Sequence, residues 1–151
     1  MGKMNWKHII LGGLMVGLIV FGLGFVNVLA FGQGWLDSLE QAGHPFEMTT
    51  AALTLIVLVF LGGGVLLMWL YAAIRPRYGP GPKTAAIAGF VFWMIACGVD
   101  AAWLSLDVFP VTRSLVVVGL LYLPIMVGTA ILGAWIYKEV GGPEEGATEE
   151  G

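Results

Sequence analysis

Four continuous apolar runs, each long enough to cross a bilayer, constrain this chain more than any other feature. Crossing the hydrocarbon takes about 20 residues of α-helix at 1.5 Å each. Runs of that length cover residues 9–31, 50–74, 84–106 and 114–137. They are continuous rather than alternating, so a transmembrane β-barrel is excluded. The expected fold is an all-α membrane protein with one four-helix domain over residues 1–140. Charged residues make up only 11% of the chain, against about 25% in an average soluble domain, too few to cover a water-facing surface. The stretch 141–151 is acidic and almost free of apolar side chains, which predicts a disordered tail.

The first run follows Lys3 and Lys7 and contains Val28-Leu29-Ala30, a pattern like a signal-peptidase site. Its length exceeds the roughly 7–15 residues of a signal peptide's apolar core, so a retained helix is expected. In a four-span topology Lys3, Lys7, Arg75, Arg77, Lys83 and Lys138 share one side and only Arg113 lies on the other. The positive-inside rule then places both termini and the 75–83 loop in the cytoplasm. Trp6, Trp69, Tyr71, Trp135 and Tyr137 fall near the inner interface, and Trp35 and Trp103 near the outer one, as aromatic belts do.

The order of residues suggests two related helical hairpins. Lys7 precedes Gly13, and Lys83 precedes Gly89, by the same interval. Trp35-Leu36 is echoed by Trp103-Leu104, and Trp69-Leu70-Tyr71 by Trp135-Ile136-Tyr137. Such a repeat would be parallel, with its axis along the membrane normal, although interface aromatics recur at helix ends in any membrane protein. Outside, Trp35 to Gln41 reads as a short amphipathic surface helix stopped by Gly43 and Pro45. Inside, Pro76 is expected to push Arg75 out of helical geometry, while Pro82 suits the start of the next helix.

Gly13 and Gly17 form a small-xxx-small pair, Gly24 lies one heptad after Gly17, and Gly62, Gly63 and Gly64 cluster in the second span. Glycines let helix backbones approach closely in lipid, either within this bundle or against another chain. Asp100 is the one ionisable residue clearly within a run; Asn27 at matching depth and Arg113 are its candidate partners. The three form a possible polar cluster, structural or ion-binding. His44 with Asp37, Glu40 and Glu47 lacks metal-ligand spacing, and His8 has no counterpart for a haem, so no metal or cofactor is expected. Ser38, Ser105 and Ser114 have no histidine in a catalytic motif, Cys97 is the lone cysteine, and the basic residues form no nucleic-acid patch.

Asn5-Trp6-Lys7 leading into Leu11-Gly12-Gly13-Leu14, the run from Leu70 through Arg75-Pro76-Arg77-Tyr78-Gly79-Pro80-Gly81-Pro82-Lys83-Thr84-Ala85, and the ending Leu132 to Glu139 resemble small bacterial four-helix inner-membrane proteins of unassigned function. The likeness covers the chain's length. It implies this topology and a bacterial inner membrane, and carries no functional residues across. The expected function is that of a non-catalytic accessory or structural subunit, in the lipid bilayer and packed against other membrane chains or copies of itself. The alternative is a small transporter or channel using Asp100 and Asn27.

Overall fold

The computed structural model describes residues 5–41, 43, 47–105 and 113–137, without the side chains of residues 35, 101, 103–105 and 113–115. Lys3, His44, Pro45, Lys138 and the 141–151 tail therefore lie outside the described residues, as do the side chains of Trp35, Trp103, Ser105, Arg113 and Ser114. The described chain forms five helices: α1 (Trp6–Phe31), α2 (Gln33–Gln41), α3 (Thr50–Tyr78), α4 (Pro82–Ser105) and α5 (Arg113–Ile136). All but α2 are long and apolar enough to span a membrane.

Local chemistry sets the ends. Asn5 stands in extended backbone ahead of α1, and its side chain accepts from the amide of His8 at 3.3 Å, so the helix begins three residues before the apolar run does. Thr49 caps α3 in the same way, accepting from Ala52 at 3.1 Å. Pro82 opens α4, where a missing N–H has no consequence. The short helix α2 spans Gln33–Gln41, two residues longer than expected, with Leu39 buried and Asp37, Glu40 and Gln41 exposed.

The connection between α3 and α4 differs from expectation. Pro76 lies inside α3, which continues to Tyr78, so Arg75 and Arg77 are residues of its last turn rather than of a loop. Lys83 likewise belongs to the first turn of α4, leaving Gly79–Gly81 as the connection. Bonds within the turn outweigh the preference set by Pro76: the Gly79 amide bonds to the Arg75 carbonyl at 2.9 Å, and Thr84 Oγ1 donates to the Gly79 carbonyl at 2.7 Å. Gly79 and Gly81 have φ of 82° and 133°, a region side chains rarely allow.

Helix α1 lies in the groove between α3 and α5, and α4 packs on α5 and α3. Helices α3 and α5 meet in the middle, so α1 and α4 are diagonal and do not touch among the described residues. Between the charged ends the outward faces are largely apolar, with Leu11 64%, Val59 63% and Trp135 73% exposed. A bilayer is the solvent that tolerates such a surface.

Lipid tails are as apolar as leucine, so these helices are held by close packing rather than by exclusion of water. The tightest seam joins α1 to α3. A Cβ at Gly17 would stand 2.6 Å from the Phe60 carbonyl oxygen and 2.8 Å from Leu61 Cα, and one at Gly13 would strike the Val65 backbone. From the opposite side, a Cβ at Gly64 would strike the Gly13 carbonyl and stand 2.5 Å from the Gly17 nitrogen. Gly89 does the same for α4 against α5, where a Cβ would stand 2.8 Å from the Met126 oxygen and 2.9 Å from Val127 Cα. Around these seams Ile9, Val16, Val20, Leu67, Met68, Met126 and Ala130 fill the core.

Neighbouring glycines of α3 should therefore respond oppositely to alanine. Gly62→Ala meets nothing within 4 Å and should leave stability unchanged or raise it by up to about 1 kcal/mol through helix propensity. Gly64→Ala should lower it by about 1–3 kcal/mol through overpacking. Thermal melts of the two variants in detergent check this; equal shifts would mean that the α1–α3 seam is not closed.

Candidate functional site

Most polar side chains packed between the spans belong to two layers, one in the half of the bundle that carries α2 and one at the basic end. The first, called the outer layer after the expected orientation, is built on α5. Asn27 of α1, only 6% exposed, donates from Nδ2 to the Val118 carbonyl at 3.2 Å. Trp93 of α4 donates from Nε1 to the Gly119 carbonyl at 2.9 Å. Tyr122, one turn on, lays its ring and hydroxyl over Gly24, the place a Cβ would need. Both accepting carbonyls lie shortly before Pro124, which has no N–H for the Leu120 carbonyl and loosens the ladder there. The Oδ1 of Asn27 is buried without a hydrogen-bond partner.

The structure does not join Asn27 to Asp100. Asn27 is bonded to α5, while Asp100 is exposed on α4. The two share a depth, but they sit on diagonal helices. Asp100 stands roughly 27 Å along α4 from Pro82 at 1.5 Å per residue, close to a full hydrocarbon thickness, which puts its carboxylate near the headgroups. Arg113 opens α5, and its side chain is outside the described residues.

The inner layer was not anticipated. Tyr71 and Tyr137 are 2% and 5% exposed, with rings 5.9 Å apart and at 89°. The Tyr137 hydroxyl accepts from the Asn5 amide at 3.4 Å, and the Tyr71 hydroxyl from the Gly81 amide at 3.5 Å, both long. The Arg75 guanidinium lies 5.3 Å from the centre of the Tyr137 ring. Read as belt residues, the two tyrosines instead face inward, while Trp69 and Trp135 are exposed. The Trp-x-Tyr spacing contains the signal: two residues turn a helix by about 200°, so a lipid-facing Trp turns its Tyr to the core.

The expected packing glycines divide. Gly13, Gly17, Gly24 and Gly64 are buried against neighbouring helices, Gly63 meets only the Phe92 ring at 3.6 Å, and Gly62 meets nothing. Gly89 and Gly133, not singled out as packing residues, belong with the first group; Gly133 receives the Met68 sulfur and Val16. Between the two layers the core is apolar apart from Thr129, whose hydroxyl bonds back to the Ile125 carbonyl at 2.7 Å. Among the described residues no three His, Cys, Asp or Glu side chains come together. No family model matches the chain, and neither the curated proteins nor the solved structures give a significant match.

In this arrangement Trp93 carries weight and Asp100 does not. Trp93→Phe should lower stability by about 0.6–1.7 kcal/mol, the range for intramembrane hydrogen bonds. Asp100→Asn should stay within about 0.5 kcal/mol of the parent. Chemical denaturation in mixed micelles measures both, and a larger loss for Asp100→Asn would place a structural bond there.

Proposed function

We propose that this chain is a non-catalytic polytopic protein of a bacterial inner membrane, with both termini in the cytoplasm, acting as an accessory or structural subunit that packs against other membrane chains. The observation that carries the reading is how the polar groups are used. Among the described residues the buried Asn27 and the half-buried Trp93 are engaged in bonds to carbonyls of α5, Thr129 bonds back to its own helix, and the rest of the core between the two layers is apolar. The bacterial setting rests on the sequence resemblance alone.

Orientation is supported by charge. Among the described residues Lys7, Arg75, Arg77 and Lys83 stand at one end, and Asp37, Glu40, Glu47 and Asp100 at the other. A two-hairpin origin is supported by the buried faces. Gly64, Leu67, Met68 and Tyr71 of α3 are matched at one constant interval by Ala130, Gly133 and Ala134 of α5 and by Tyr137 just after it, all buried. Each tyrosine hydroxyl accepts from the residue preceding the other hairpin's first helix, and the two rings meet where a pseudo-twofold axis would pass. Packing on a partner is supported by the glycines left over. Gly22, Gly62, Gly98 and Gly128 lie in helices with nothing near them, although glycine costs about 1 kcal/mol in a helix. Close approach by another chain's backbone gives them a use.

Topology is tested by single cysteines labelled with an impermeant reagent in intact cells. Gln41→Cys should react from outside and Gly79→Cys only after permeabilisation; reaction of both from one side would remove the four-span arrangement. The subunit reading is tested by purifying tagged parent and Gly62→Leu from native membranes in mild detergent. The parent should carry a stoichiometric companion that Gly62→Leu loses without a change in its melting temperature. Robust ion flux in liposomes, abolished by Asp100→Asn at unchanged stability, would instead favour a transporter.

A further inference from the structure

At the basic end, a groove of about 610 Å³ opens on the outer surface of the bundle, lined by Tyr78 from the end of α3 and by Lys83, Thr84, Ala86, Ile87 and Phe90 of α4. Its chemistry is graded along the helix. Lys83 and the phenol of Tyr78 stand at the mouth, and Ile87 and Phe90 continue toward the hydrocarbon, roughly 10 Å from Lys83 to Phe90 at 1.5 Å per residue. Tyr78 is 64% exposed, Phe90 44% and Ile87 39%, so the groove faces the bilayer and not the core. Thr84 belongs to the wall only, because its hydroxyl is spent on the Gly79 carbonyl.

We propose that this groove binds one anionic glycerophospholipid from the leaflet at the basic end, its phosphate at Lys83 and Tyr78 and an acyl chain along Ile87 and Phe90. The argument is charge complementarity combined with depth. The cationic mouth sits at headgroup level and the apolar floor at acyl level, the order in which a phospholipid presents the same two chemistries. Arg75, Arg77 and Lys7 add positive charge at this end, and no Asp or Glu among the described residues offsets it. The acidic 141–151 stretch is a competing anion in the same chain, but its apolar side chains are only those of Pro143 and Ala147, too short to run along Ile87 and Phe90 as an acyl chain would.

The test uses the full chain in neutral detergent, titrated with dioleoyl phosphatidylglycerol or dioleoyl phosphatidylcholine, with bound lipid read by native mass spectrometry. Phosphatidylglycerol should bind several-fold more tightly. Lys83→Gln, a change at an exposed position, should weaken phosphatidylglycerol by roughly fivefold, as expected for one basic contact with an anionic lipid. Lys7→Gln, also exposed and at the same end but on α1, should change it by less than about twofold. Equal binding of the two lipids, or equal losses in the two lysine variants, would overturn the site and leave only a diffuse surface charge. A chain shortened to residue 140 in which phosphatidylglycerol binds more tightly and Lys83→Gln no longer matters would also overturn it, by assigning the tail as occupant.

Discussion

Everything else in this bundle depends on two helix backbones coming into direct contact. Once four apolar segments are in lipid, water no longer drives them together, and dispersion at close range must do so. Dispersion rewards only tight approach, and Gly13, Gly17 and Gly64 supply it by removing the side chains that would separate α1 from α3. With that seam closed, α1 also lies against α5, where Gly12 and Gly133 accommodate Met68 between the helices and Gly24 accommodates Tyr122. The α4–α5 pair repeats the device with the single close contact at Gly89.

The polar groups make sense on the same footing. In hydrocarbon an unpaired donor is expensive, so each of these groups has been placed near an end or given a carbonyl. Asn27 and Trp93 fasten α1 and α4 to α5, and the two inner tyrosines fasten each hairpin to the entry of the other. Between them the described core holds Val16, Val20, Leu67, Met68 and Ala130, with Thr129 bonded back to its own helix.

Sequence reasoning reached the spans because length and unbroken hydrophobicity are read directly against the thickness of a bilayer. It reached Gly13, Gly17 and Gly64 through spacing, but spacing does not say which helix a glycine faces. Gly62 and Gly64 look equivalent in the sequence, yet turning about 200° round α3 puts one in lipid and the other on Gly17. The pairing of Asn27 with Asp100 failed for a related reason. Depth can be counted along a helix, whereas the diagonal placement of α1 and α4 is a property of the assembled bundle. Pro76 misled because its local preference was read without the bonds that hold the end of α3 in place.

The direct measurement of the central contact is through-space ¹³C–¹³C solid-state NMR on glycine-Cα-labelled protein in bilayers, with assignments made by single Gly→Ala variants. A Cβ at Gly64 would stand only 2.8 Å from the Gly17 Cα, so the Cα carbons of these two residues should give a strong cross-peak while Gly62 shows contacts with acyl chains alone. A Gly64 signal that correlates with acyl chains and not with Gly17 would contradict the account.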